Sequence, residues 1–210
     1  MGRPHSRRAN AAAQRTSRRA NRELYPISTV HEFFAVSLSL MSELRDEPPP
    51  SLEDPREILL QQLSYYRATL LAKLKGLSEA QLTTSVLPSG WSPLGLFKHL
   101  VFVERRWMQW GFEAEPIPDP WGDHDPDSEG WLVAPEDTVA DLTARLAAIA
   151  ARTEAVAGQA ELTQRARLDG RFSSDPPTLG WILIHLLQEY ARHVGHMDVV
   201  RELIDGSVGE

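Results

Sequence analysis

The sequence predicts an all-α domain, most simply a four-helix bundle with a long loop between its second and third helices, and three observations predict it. Apolar residues recur at spacings of three and four in four separate stretches. Capping residues followed by proline mark two of the helix starts. No pair of alternating runs reads as two neighbouring strands, and no internal repeat is present. With 210 residues, 42% of them hydrophobic, the chain can build one domain with a core of its own and little beside it.

Residues 1–45 read as an extension and residues 46–210 as the bundle domain. Residues 1–22 carry seven Arg and no acid, with almost no large apolar side chain, so this head is expected to be disordered. It supports nonspecific attraction to anions only, because no aromatic side chains are interleaved with the arginines. Its twin arginines resemble an export signal, but the first apolar run, "FFAVSLSLM" at 33–41, lies far downstream and no small-residue cleavage motif follows. A start at Met41 would make an ordinary cytoplasmic N-terminus, and the expected compartment is the cytoplasm. No run of 18 apolar residues exists to span a membrane. Residues 23–210 hold 15 basic and 29 acidic side chains, which makes the bundle a poor partner for nucleic acid.

The first helix is predicted over about 55–76. Asp54 and Pro55 give its cap and first position, and Ile58, Leu59, Leu63, Tyr66, Leu70 and Leu74 give its apolar side. A short turn of helix at "SEAQL", 78–82, precedes the second helix, which Ser92 caps and Pro93 starts. Leu96, His99, Leu100, Val103 and Trp107 lie on one side of it, so His99 points towards the core. After about Phe112 comes a stretch rich in Pro, Asp and Gly, "EAEPIPDPWGDHDPDSEGW", a loop of some twenty residues. The third helix is predicted to start after Pro135 with an acidic first turn and to end near Gly158. Asp169 and Gly170 suggest a turn, in a small hairpin or an irregular loop. Thr178 then caps a fourth helix that runs to about Asp205 and stops at Gly206.

That last helix carries the chemistry. His185, Glu189 and His193 are successive i, i+4 neighbours and His196 follows His193 by three, so the four share one stripe, extended at its ends by Trp181, Ile182, Val200 and Leu203. An unpaired carboxylate in the middle of a core-facing side would be heavily penalised, and a divalent cation removes that penalty. The chain has no cysteine, so a metal site must be built from His, Asp and Glu. His99, on another helix, offers the further ligand. The alternative for such a stripe is a hydrogen-bonded polar network with i, i+4 ion pairs. The stripe also holds more donors than one ion needs: His185 can replace Glu189, and His196 can support a ligand or shuttle a proton.

The segments "GWSPLGLFKHLVFVERRW" at 90–107 and "EYARHVGHMDVVRELIDG" at 189–206, in that order and separated by a long loop, resemble the DinB-like (DinB/YfiT) four-helix family. The resemblance covers about residues 45–210 and is nearest to the actinobacterial mini-circle branch, a domain of unknown function. It implies a divalent metal held by one His of the second helix and two ligands four residues apart on the last: His99, Glu189 and His193. Many members use H-x-x-x-H for the final pair, whereas the similar mycothiol-dependent maleylpyruvate isomerases use E-x-x-x-H. The carboxylate lowers the charge of the site and favours a harder ion or a less acidic bound water. Zinc is the first expectation, with nickel, manganese and iron as alternatives.

The chemistry implied is transfer of a low-molecular-weight thiol, of the mycothiol type, to an electrophilic substrate. Metal-assisted hydrolysis is the alternative, and a non-catalytic binding module with a polar core is a third reading. A chain without cysteine must take the sulfur from its cosubstrate. His196 and His185, left without a ligand role, are the nearest groups for proton transfer. Trp91, Trp107, Trp110 and Trp181 can wall an apolar pocket. Arg105 and Arg106 can hold a carboxylate of the thiol or substrate, with surface solvation as their alternative role. The resemblance is also compatible with a homodimer.

Overall fold

The computed structural model describes residues 46–117 and 133–209. The Arg-rich extension, the start at Met41 and most of the long loop lie outside the described residues. Helix α1 spans Pro55–Leu74, and the Asp54 side chain accepts from the backbone N–H groups of Arg56 and Glu57. Its inward residues Leu63, Arg67, Leu70 and Leu74 alternate spacings of four and three, the period of a bundle seam. Helix α2, Glu79–Thr83, is one short turn held by a capping box between Ser78 and Gln81.

Helix α3, Pro93–Arg105, is capped by Ser92. Every one of its residues from Pro93 to Glu104 is buried except His99, which is half-buried, so this helix is covered on all sides rather than a one-sided surface helix. It does not end where its α-helical bonding ends. From Arg106 to Phe112 the chain widens into a π-helix, with the Glu113 N–H donating to the Met108 carbonyl five residues back. The sequence expectation of a helix to about Phe112 holds, and the change of winding within it carries no periodicity signal.

Helix α4, Val139–Gln159, begins later than the sequence suggests. Thr138, not Pro135, is its cap and accepts from the Asp141 N–H. Asp137 is spent elsewhere: its carboxylate accepts from Lys98 of α3 at 2.6 Å and from the Ala134 N–H at 2.7 Å. Helix α5, Leu179–Asp205, starts at the Thr178 cap and ends at Gly206, whose φ of 75° lets the chain turn left-handed out of the helix.

Among the described residues no strand forms, only one isolated antiparallel bridge between Arg165 and Thr178. The segment between α4 and α5 is therefore the irregular loop rather than the hairpin. It is fastened to the end of the π-helix, because Arg167 N–H donates to the Phe112 carbonyl and Arg171 N–H to the Trp110 carbonyl. Gly170 makes this possible: a Cβ there would run into the Trp110 carbonyl oxygen and the Ala114 backbone.

The four long helices pack as a bundle in which α1 lies chiefly against α5 and α3 against α4, with α3–α5 and α1–α4 contacts closing the ring. Phe97, Leu100, Leu142, Leu146, Ile182, Leu186 and Met197 fill the core. At its middle stands a polar cluster to which every long helix contributes. Glu104 of α3 accepts from Arg67 of α1 at 2.6 and 3.1 Å, from Thr153 of α4 at 2.7 Å and from the Tyr190 hydroxyl of α5 at 2.8 Å. Burial works against the Arg67 charge, yet the adjacent Glu104 holds its guanidinium above the ordinary value.

Candidate metal centre

Helices α3 and α5 bring together three side chains from the stripe and its opposite. Glu189 Oε2 lies 3.3 Å from His193 Nε2 and 3.8 Å from His99 Nε2. The His99 and His193 rings meet edge to face with centroids 4.9 Å apart. One ligand atom from each of the three residues falls within 4.8 Å of the others. For bonds of about 2.1 Å, the edge of a tetrahedron around zinc is about 3.4 Å, so the His193–Glu189 separation already matches such an edge and the His99–Glu189 separation of 3.8 Å exceeds it slightly. Two imidazoles and one carboxylate are also a donor set that zinc and its neighbours accept, and they leave coordination open for a further ligand. His99, Glu189 and His193 can therefore hold one divalent ion.

The electrostatics suit this. Burial lowers the His99 imidazole below its ordinary pKa, against the pull of Glu189, which keeps it in the neutral form that binds a cation. His193 first, then His99, hold the Glu189 carboxyl well below the usual carboxylate range. The group is ionised wherever the protein is folded near neutrality.

The two other histidines of the stripe separate around this triad. His185 Nε2 faces the other oxygen of Glu189, Oε1, at 3.5 Å. His196 is exposed, and its Nδ1 lies 3.4 Å from His193 Nδ1, the nitrogen of His193 turned away from Glu189. Burial depresses both His185 and His196 below the ordinary imidazole value.

The aromatic residues gather in two places instead of one. Trp91 stands near His196, with ring centroids 6.2 Å apart. Trp107 and Trp181 flank His185: Trp107 at 4.3 Å, and Trp181 at 5.3 Å in nearly parallel planes. Trp110 lies outside this group, beneath the Arg171 guanidinium that also covers Trp107 at 4.5 Å. Phe172, which the sequence reading missed, joins Trp107 at 6.0 Å. Its only signal in the chain was its place two residues after Gly170, where a tight turn delivers it to the π-helix. Trp181 and Leu203 do not continue the buried stripe, since they are 51% and 59% exposed, whereas Ile182 and Val200 are buried as expected.

The two arginines also part. Arg106 is 4% exposed, so surface solvation is not its role, and its charge acts on His99. Arg105 lies over Phe102 and shares a cavity with Arg145 and Arg152 of α4, away from the triad.

Among the described residues no helix is long and apolar enough to cross a membrane. No curated protein matches the chain. The family model described as Mycothiol-S-transferase matches residues 58–206, from the first turns of α1 to the stop of α5.

Proposed function

The chain belongs to the mycothiol-S-transferase family, and on that premise we propose that it is a divalent-metal-dependent enzyme that transfers a mycothiol-type thiol to an electrophile, in the cytoplasm. The observation that carries the reading is the convergence of His99 on α3 with Glu189 and His193 on α5. Held by these three residues, a divalent ion supplies Lewis acidity that lowers the pKa of a thiol into the neutral range. The protein's own groups do the rest. His185 fixes the Glu189 carboxylate through Oε1. His196, whose Nδ1 accepts from the His193 Nδ1–H, holds His193 in the tautomer that turns its Nε2 lone pair towards the ion. Arg106, buried beside His99, sets a positive field that favours the anionic form of sulfur.

The test is elemental analysis of protein purified without chelator or affinity metal, beside a His99→Ala, His193→Ala double variant. About one ion per chain, lost in the variant, is the expected result. Metal-free protein that cannot be loaded at micromolar zinc, nickel or manganese would sink the reading. Calorimetric titration of the loaded protein with mycothiol tests the thiol. Turnover of ester probes without any thiol would move the reading to hydrolysis on the same ligand set.

A further inference from the structure

Helix α5 carries an apolar face that its own chain leaves half exposed. Of the seven large hydrophobic side chains exposed among the described residues, four lie on this helix: Trp181 at 51%, Ile184 at 58%, Val199 at 53% and Leu203 at 59%. With Gln188, Arg192 and Gly195 between them they recur at steps of three and four, so they form one stripe along the outer side of the helix. Its middle is bare. A Cβ built on Gly195 meets nothing within 4 Å, and the residue has no positive φ that would call for glycine. A glycine inside a helix weakens it relative to alanine, and no contact within the chain asks for one here.

We propose that this face is where a second copy of the chain docks, α5 against α5. Charge favours that partner. The exposed charged residues between Trp181 and Leu203 are Arg192 and Glu202, one of each sign, whereas residues 23–210 together hold 29 acidic and 15 basic side chains. Two copies therefore repel each other over most of the domain and least here. A twofold axis perpendicular to both helices lays them antiparallel and brings Ile184 of each copy against Leu203 of the other. Gly195 then lies close to the crossing, where the missing side chain lets the two backbones approach and the stem of Arg192 from the other copy lie across the gap. The stripe is about 33 Å long and a helix is about 10–12 Å wide, a contact at the small end for specific pairs. The copies thus associate reversibly, with a dissociation constant in the micromolar range, rather than as a permanent dimer. The pairing needs neither metal nor thiol, so it stands or falls apart from the transfer reading.

The test is sedimentation velocity of the full chain between about 5 and 500 μM, a range that brackets a micromolar constant. The parent is expected to pass from monomer to dimer across it. Ile184→Glu and Leu203→Lys should each raise the dissociation constant at least about tenfold, because each sets a lone charge against an apolar side chain. Combined in one chain they should recover most of that loss, since the antiparallel contact then opposes unlike charges. Ile184 and Leu203 are both more than half exposed, so the fold tolerates the changes, and an unaltered thermal melt of dilute protein checks it. Gly195→Gln should melt at or above the parent when dilute and yet pair at least about tenfold more weakly, a combination that no role inside one copy produces. A parent that stays monomeric at the top of the range overturns the proposal, and if it then floats with phosphatidylglycerol vesicles the face belongs to a lipid surface. A dimer that Ile184→Glu and Gly195→Gln leave unchanged is built elsewhere on the chain and overturns it too. So does a double variant that pairs no better than its singles.

Discussion

At the scale of single residues, Glu189 is the meeting point of three imidazoles, and its two oxygens face different ones. Oε2 looks towards His99 and His193, and Oε1 towards His185. The two sides have different jobs and should fail differently. Glu189→Gln keeps the size of the side chain and one oxygen but removes the charge that offsets the cation. Metal affinity should fall by more than about 100-fold, the upper end for loss of a partner standing behind a ligand. His185→Phe keeps a ring between Trp107 and Trp181 but removes the nitrogen that orients Oε1. It should cost about 10–100-fold. Competition with a chromogenic chelator measures both, and an effect of His185→Phe as large as that of Glu189→Gln would make His185 a ligand. The i, i+4 spacing put all these residues on one stripe from the sequence alone, but spacing cannot sort ligand from support. That needed the position of His99, which arrives from 90 residues away on another helix.

At the scale of helices, the buried Glu104 cluster ties four rods at one point, and removing a single member leaves the others stranded. Glu104→Gln leaves the buried Arg67 guanidinium with only the exposed Glu154 carboxylate, 3.8 Å away, as counter-charge and should destabilise by about 3–5 kcal/mol, read as a shift of the urea midpoint. The Arg67→Met, Glu104→Leu double variant should lose less than the sum of its singles, because no charge is then left buried. Tyr190 gives the same cluster a pH signature. Burial, then the adjacent Glu104, raises its hydroxyl well above the ordinary value of 10.0. Above that pH the unfolded chain releases this proton while the folded chain keeps it, so unfolding is favoured. Its contribution is complete below about pH 10 and is lost as pH rises towards the folded value. Tyr190→Phe lacks this component, and urea midpoints followed from about pH 8 to 11 should fall less steeply for it than for the parent. Local signals made the helices legible: Asp54–Pro55, Ser92–Pro93, Thr178 and Gly206 all mark true boundaries. Pro135–Glu136–Asp137 imitated a helix start because a capping pattern says nothing about a lysine 39 residues upstream that claims the aspartate. Glu104 was invisible for the same reason, since its partners lie 37, 49 and 86 residues away and become neighbours only when the bundle closes.

At the scale of the whole molecule, two systems join the same helices, and they should respond differently to metal. The apolar core and the Glu104 cluster need no ion, so the metal-free bundle should unfold in one cooperative transition rather than lie unfolded as a zinc finger does. The triad bridges only α3 and α5, and an ion there binds the folded chain in preference to the unfolded one. At a hundred times its dissociation constant it should add about 2.7 kcal/mol, which for a domain of this size raises Tm by roughly 5–11 °C. Scanning calorimetry at graded zinc concentrations measures this directly, with the His99→Ala, His193→Ala variant as the chain that should not respond. A parent whose Tm ignores the metal would show that the three side chains pair with one another and hold no ion. A metal-free parent with no transition at all would show that the ion, and not the core around Glu104, keeps α3 against α5.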